Sequence, residues 1–127
     1  MLEEFNNYID NFCLLKQENR ILMAVSGGID SMVMANLFIK SGFDTGIAHC
    51  NFCLRDQESD MDEDLVRKLA EEMKIPFYVR RFETKKYATD NKISVQMAAR
   101  DLRYSWFEEI RNNDGYDFIA LAHNLND

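Results

Sequence analysis

One segment, Ile21 to Ser31 (ILMAVSGGIDS), leaves few folds open to this chain. Ile21-Leu22-Met23-Ala24-Val25 is a continuous apolar run, the pattern of a strand buried on both faces of a parallel sheet. Met32 to Ile39 reads as a helix. The adjacent glycines Gly27 and Gly28 therefore fall at a strand-to-helix turn. Glycine lets the backbone take unusual angles and approach a ligand closely. The unpaired N–H groups of the following helix, at the positive end of its dipole, form an anion site. With the Ser26 and Ser31 hydroxyls beside them, a phosphate is the natural guest. A bare Gly-Gly would read as a tight turn between two core elements. Ser-Gly-Gly-x-Asp-Ser between a buried strand and a helix favours the phosphate site instead. It is not a Walker A loop, since no Gly-Lys-Ser/Thr ending is present. The glycine spacing also excludes the dinucleotide fingerprint.

The remaining chain builds a sheet around this turn. Thr45 to His49 is a second strand, so strand, helix and strand make a right-handed βαβ unit with parallel strands. His49-Cys50-Asn51-Phe52 then lies at a carboxyl edge, where open parallel sheets bind ligands. Pro76 to Val79 and Asp117 to Ala122 are the third and fourth strands. Leu2, Phe5, Ile9, Phe12 and Leu15 share one face of an N-terminal helix. Met61, Leu65, Leu69 and Met73 share another, and Val95, Ala99, Leu102, Trp106 and Ile110 form the longest helical stripe. Gly42 ends the first βαβ helix and Asn113 to Gly115 breaks the last. The expected fold is α/β, a Rossmann-like parallel sheet with helices on both faces. The chain stops after its fourth strand without the covering helix. Residues 1–127 are thus expected to be the N-terminal part of a longer enzyme. The open apolar face makes a homodimer one expected partner arrangement.

Charge restricts the partners further. The 127 residues carry a formal net charge of −7, which makes the chain a poor general binder of nucleic acid, because phosphate contacts need Lys and Arg. Any RNA must be held by local basic patches or by another part of a longer protein. Arg80-Arg81 and Lys85-Lys86 follow the third strand; such charges usually form a solvated rim, but on the ligand side of the sheet they are the local candidates for an RNA or phosphate contact. Asp56, Glu58, Asp60, Asp62, Glu63 and Asp64 crowd the first turns of a helix, where they complement its dipole rather than converge on a metal. No apolar run approaches a membrane span. The acidic start, Met1-Leu2-Glu3-Glu4, is unlike a signal peptide. Three cysteines without an export signal suit reduced thiols and a cytoplasmic setting.

SGGIDS resembles the phosphate loop of the PP-loop ATP pyrophosphatase superfamily, whose members split ATP between the α and β phosphates and adenylate a substrate oxygen. Three further segments resemble one family within it, tRNA(Ile)-lysidine synthetase: HCNFCLRDQESDMDEDLV at His49 to Val66, AARDLRYSWF at Ala98 to Phe107, and AHNLND at Ala122 to Asp127. The resemblance implies a ligase forming a C–N bond. ATP would adenylate the wobble cytidine of a minor isoleucine tRNA with a CAU anticodon, and free L-lysine would displace AMP. It implies ATP and Mg²⁺ as cofactors, no membrane partner, and further tRNA-binding domains beyond this chain. Ser26, Gly27, Gly28, Ile29, Asp30 and Ser31 would hold the phosphates, and His49 a nucleotide edge. Asp30, Arg103 and Asp127 would be catalytic: Asp30 beside the metal or the lysine amine, Arg103 as a fixed cation, and Asp127 as the acid of the last motif. Arg100 is a weaker candidate than Arg103, and Arg55 could reach nucleotide or RNA. No protein metal ligands are assigned. The Glu-Thr half of the last motif lies beyond Asp127, so this chain alone is not expected to make lysidine.

Two other readings compete. Cys50-x-x-Cys53 keeps a tRNA 2-thiolation enzyme of the same superfamily in view, since such relatives use cysteine for persulfide or iron–sulfur chemistry. With only a distant Cys13 in addition, the pair is half a metal site. A nucleotide-binding module without catalysis is the other, separable by its failure to release pyrophosphate.

Overall fold

The computed structural model describes residues 19–54 and 57–121. The N-terminal helix expected over Leu2 to Leu15, Arg55 and the AHNLND segment with Asp127 lie outside the described residues. Eight elements alternate along the chain: β1 (Arg20–Ala24), α1 (Ile29–Lys40), β2 (Asp44–Asn51), α2 (Gln57–Met73), β3 (Phe77–Arg81), α3 (Thr84–Asn91), α4 (Val95–Asp114) and β4 (Phe118–Leu121). The strands form one sheet in the order β3-β2-β1-β4, and all three pairings are parallel. Leu22 is in register with Gly46 on one side and Ile119 on the other, which makes β1 an interior strand. The expected α/β architecture is the one observed.

The apolar run of β1 is explained by the layers it separates. Ile21, Leu22 and Met23 are fully buried. Side chains alternate along a strand, so Ile21 and Met23 meet Phe38 of α1 and Val66 and Leu69 of α2. Leu22 faces the opposite way, toward Trp106, Phe107 and Ile110 of α4. Each such large side chain contributes about 1.5–3 kcal/mol when fully buried. The two packed layers place helices on both faces of the sheet. No helix among the described residues is long and apolar enough to cross a membrane.

The helix ends follow the local sequence. Ser94 caps α4 by accepting the Met97 N–H at 3.1 Å. Gly115 closes that helix at φ +72, and Gly42 follows α1 at φ +83. The short helix α3, which carries Lys85 and Lys86, has no apolar stripe of its own and was not anticipated.

The face expected for α2 is corrected. Met61, Leu65 and Met73 are exposed (69%, 45% and 37%), whereas Glu63, Val66, Leu69 and Ala70 are buried. A strict four-residue repeat cannot stay on one face, because a helix turns every 3.6 residues and three such steps drift by about 120°. The observed face instead runs through Glu63, which meets polar partners on β2 and β3.

The order of the strands sets the site. From β1 the chain moves outward through β2 to β3, then returns to place β4 on the other side of β1. The reversal opens a crevice at the carboxyl end of β1, where α/β sheets bind ligands. The Ser26 to Ser31 turn sits at that point.

Candidate functional site

The turn after β1 is braced from within. The Ser31 hydroxyl accepts the Ser26 N–H at 3.1 Å and donates to the Gly28 carbonyl at 3.0 Å. The Ser26 and Ser31 hydroxyl oxygens are 3.1 Å apart, and Ser26 Oγ accepts the Gly28 N–H at 3.3 Å. Ser31 is buried, so its first role is to hold the loop's shape. Gly27 adopts φ +95, a conformation that disfavours a side chain. A Cβ there would lie 3.0 Å from Asp62 Cβ and 3.1 Å from its Cγ. The second helix thus presses against the glycine loop. Gly28 is the N-cap of α1 and no side chain caps that end. First-turn N–H groups have no partner within an α-helix; that of Gly28 is accepted by Ser26 Oγ, and those of Ile29, Asp30 and Ser31 have no acceptor inside α1. Asp30 sits in the same turn as an exposed carboxylate.

Beside the loop lies a cavity of about 180 Å³. Ala24, Val25, Ser26 and Ser31 form one wall, Ala48, Cys50 and Phe52 a second, and Arg103, Phe107 and Leu121 a third. Three strands, α1 and α4 therefore contribute. The lining is mixed, with polar groups from Ser26 and Ser31 at the loop and from Arg103 on α4. Arg103 Nε is buried and has no hydrogen-bond partner. A buried guanidinium donor without an acceptor is costly unless something supplies one. An anion placed between the loop and Arg103 would do so, in the geometry a guanidinium suits best. Arg103 also lies 5.2 Å from the Tyr104 ring centroid. Arg100 is exposed, 5.7 Å from the same ring, and does not line the cavity.

Two expected residues behave differently. His49 is almost fully buried, and its Nδ1 donates to the Val25 carbonyl at 2.7 Å. Ala48 and Cys50 line the cavity, so alternation along β2 turns His49 to the opposite face. The structure does not bring His49 to the cavity; it pins the carbonyl of the residue preceding the loop. Cys50 does line the cavity, but burial pushes its thiol up to about 12 although the Arg103 charge acts the other way. A thiol held neutral is a poor nucleophile, which weighs against the 2-thiolation reading. Cys53 is exposed, and its Sγ donates weakly to the Asn51 carbonyl at 3.7 Å.

A family model for the PP-loop domain matches residues 1–127. The chain belongs to the PP-loop domain family. This PP-loop chain is 42% identical over 120 residues to a tRNA(Ile)-lysidine synthase of Bacteroides thetaiotaomicron, a match covering 94% of the chain and 28% of that protein. It is 41% identical over 131 residues to the tRNA(Ile)-lysidine synthase of Clostridium acetobutylicum, covering 100% of the chain and 28% of that protein. The chain therefore spans little more than a quarter of those relatives. Among solved structures, an NH3-dependent NAD synthetase from Campylobacter jejuni superposes with a TM-score of 0.71 at 14% identity, covering 97% of this chain and 55% of that one. An NMN synthetase from Francisella tularensis gives 0.68 at 20% identity, with 97% and 53% covered. At such identities the likeness is one of fold.

Several acids at the start of α2 are committed to other partners. Glu63 is only 4% exposed and accepts from Arg81 Nε at 3.1 Å and Nη2 at 3.2 Å, from Arg67 at 3.3 Å and from Asn51 at 3.2 Å. The Arg81 hydrogen bonds lead the effects that hold its carboxyl down at about 2, against the cost of burial. Asp60 accepts from Asn51 at 3.1 Å, and Asp64 from Arg67 at 3.1 Å. Among the described residues no group of three or more His, Cys, Asp or Glu is arranged to hold a metal. Arg81, read from sequence as an RNA or phosphate contact, is paired with Glu63 and Asp60, and Arg80 lies 3.7 Å from Glu109. Those pairs blunt the basic patch expected after β3. Sequence reasoning missed Phe52 and Phe107 as cavity walls and Asp62 as the loop's neighbour. Phe52 and Phe107 stood inside segments already singled out, but which way each pointed depended on the packing.

Proposed function

We propose that this PP-loop domain binds ATP and serves as the adenylating part of a tRNA(Ile)-lysidine synthase. The observation that carries the reading is the Arg103 guanidinium, with its buried Nε unmet, lining the same cavity as the Ser26 end of the loop. Two anion-seeking groups from distant segments converge there, as binding a polyphosphate requires. The N–H groups of Ile29, Asp30 and Ser31 at the start of α1 would hold the departing pyrophosphate, and Arg103 the attacked α-phosphate, where charge builds in the transition state. Braced by Ser31 and by the His49–Val25 hydrogen bond, these donors are fixed before the substrate arrives, which lowers the cost of orientation.

Mg²⁺ fits this donor set in a limited way. It is commonly held by one or two carboxylates together with phosphate oxygens and water, and Asp30 is the exposed carboxylate at the loop. When bound, the ion would neutralise phosphate charge. No residue beyond Asp30 is assigned to it. Asp127, outside the described residues, would face the lysine amine.

In this proposal the wobble cytidine of a CAU-anticodon isoleucine tRNA is adenylated, and free L-lysine displaces AMP at the same ring carbon. The tRNA would be held mainly by domains beyond these residues, as the net charge of −7 suggests. The setting would be cytoplasmic, and a homodimer would be a compatible assembly. The test is labelled-lysine incorporation into that tRNA by the full-length parent and its Arg103→Ala variant. Loss of incorporation in a folded variant supports the reading, and parental turnover in it refutes the role of Arg103.

A further inference from the structure

The wall of the cavity at Phe52 is built by a relay that begins on α2, away from the phosphate loop. Asn51, the last residue of β2, is 2% exposed. Its Nδ2 donates to Glu63 Oε1 at 3.2 Å and to Asp60 Oδ1 at 3.1 Å, which fixes the direction of its amide. Its Oδ1 then accepts the Cys53 N–H at 3.0 Å. Cys53 stands at φ +56, a left-handed conformation that a residue with a side chain adopts reluctantly. Without that hydrogen bond the turn would relax toward an ordinary conformation. Phe52, enclosed between these two residues, is tied at its carbonyl to the Thr84 hydroxyl at 2.8 Å. Its ring stacks on Phe82 with centroids 5.7 Å apart and faces the cavity.

We propose that Glu63 is a positioning residue for the ligand cavity, acting through the Asn51 amide and the Cys53 turn to hold Phe52 in the cavity wall. The part of the proposal that concerns nucleotide affinity rests on the ATP reading above. The geometric part does not. Glu63 receives four donor atoms from three residues, Asn51, Arg67 and Arg81. Only the bond to Asn51 leads to the cavity. Arg81 shares Glu63 Oε1 and Asp60 Oδ1 with the Asn51 amide, whereas Arg67 bonds the other carboxylate oxygen, Oε2, and Asp64. A role limited to stability would therefore be shared by Arg67, whereas a positioning role would be shared by Asn51.

The experiment compares Glu63→Ala, Asn51→Ala and Arg67→Ala in the full chain, each checked for folding by circular dichroism and thermal melting. Two readouts are taken: iodoacetamide modification at the Cys50 peptide by mass spectrometry, and affinity for a non-hydrolysable ATP analogue. Cys50 lines the cavity beside Phe52, so its protection reports the wall directly. Glu63→Ala and Asn51→Ala are expected to speed Cys50 modification and weaken analogue binding, each by about tenfold, the scale of one lost charge-assisted hydrogen bond. Arg67→Ala should lower the melting temperature and leave both readouts within about twofold of the parent, since its bonds to Glu63 Oε2 and Asp64 reach neither Asn51 nor the oxygens that hold it. If Glu63→Ala does not fold, Glu63→Gln keeps the volume while turning an amide NH2 toward at least one donor, and carries the same expectation. Unchanged Cys50 protection in folded Glu63 and Asn51 variants overturns the proposal. Cys50 exposure in Arg67→Ala as large as in Glu63→Ala also overturns it. If the parent itself does not bind the analogue while Cys50 responds as expected, the ATP reading falls and the positioning role stands.

Discussion

Replacing Gly27 with alanine tests whether the phosphate loop is shaped by its glycine and by the helix beside it. Two costs add. At φ +95 a side chain meets its own backbone, a penalty of about 1–2 kcal/mol for an L-residue in left-handed space. The new Cβ would also lie 3.0 Å from Asp62 Cβ and 3.1 Å from Cγ, well inside the roughly 3.5–4.0 Å optimum for carbon atoms. Asp62 Cβ is fixed to the helix backbone and cannot swing away, so overpacking of about 1–3 kcal/mol follows. Together the substitution should cost roughly 2–5 kcal/mol, either as lost stability or as a displaced loop. Urea unfolding measures the first, and titration with a non-hydrolysable ATP analogue the second. Asp62→Ala removes the Cγ and Oδ1 contacts while keeping Cβ. Combined with Gly27→Ala it should recover part of the loss, leaving the conformational cost in place. A Gly27→Ala variant within about 0.5 kcal/mol of the parent, with unchanged analogue affinity, would refute the reasoning.

Gly46→Ala should destabilise the chain by about 2–3 kcal/mol in urea unfolding, because a Cβ there would collide with the hydroxyl of Tyr116, itself 3.2 Å from the Tyr78 hydroxyl. Exposed Cys53 should react with a thiol reagent at pH 8 on the order of a thousandfold faster than Cys50, whose thiol is pushed up to about 12; peptide mass spectrometry reads both rates. Because the folded Glu63 carboxyl is held at about 2, below the usual 4.5, its stabilising contribution is complete above pH 4.5 and fades as pH falls toward 2. The stability gap between parent and Glu63→Gln should narrow across that window. Asp30→Ala in the full-length parent should nearly abolish labelled-lysine incorporation while leaving the melting temperature within a few degrees.

Much of this arrangement was legible in the sequence for a physical reason. An apolar run followed by Ser-Gly-Gly-x-Asp-Ser has one economical solution, a buried parallel strand turning into a helix, and β1 and α1 take it. Arg103 could be singled out because the AARDLRYSWF segment resembles a family motif and an arginine is always charged, but that its Nε is buried without an acceptor shows only in the packing. His49 could not be oriented, because one step along a strand reverses the face and only the β2 register decides which. The face of α2 was misjudged because Met61, Leu65 and Met73 outweigh a lone glutamate in any hydrophobic pattern. What buries Glu63 is a tertiary match, an asparagine and two arginines arriving from β2, β3 and α2 itself. The partners of Arg80 and Arg81 could not be read from sequence either, since the carboxylates that pair with them are distant in the chain.

The most direct measurement is a nuclear magnetic resonance titration of the full chain with a non-hydrolysable ATP analogue and Mg²⁺, following backbone amides and the arginine Nε–H resonances. A phosphate seated between the loop and α4 should move Gly27, Gly28 and Ser31 together with Arg103 Nε–H, whose buried donor then gains an acceptor, while Arg81 Nε–H, already bonded to Glu63, stays in place. Saturation that shifts neither the loop amides nor Arg103 would contradict the assignment of this cavity as the ATP site.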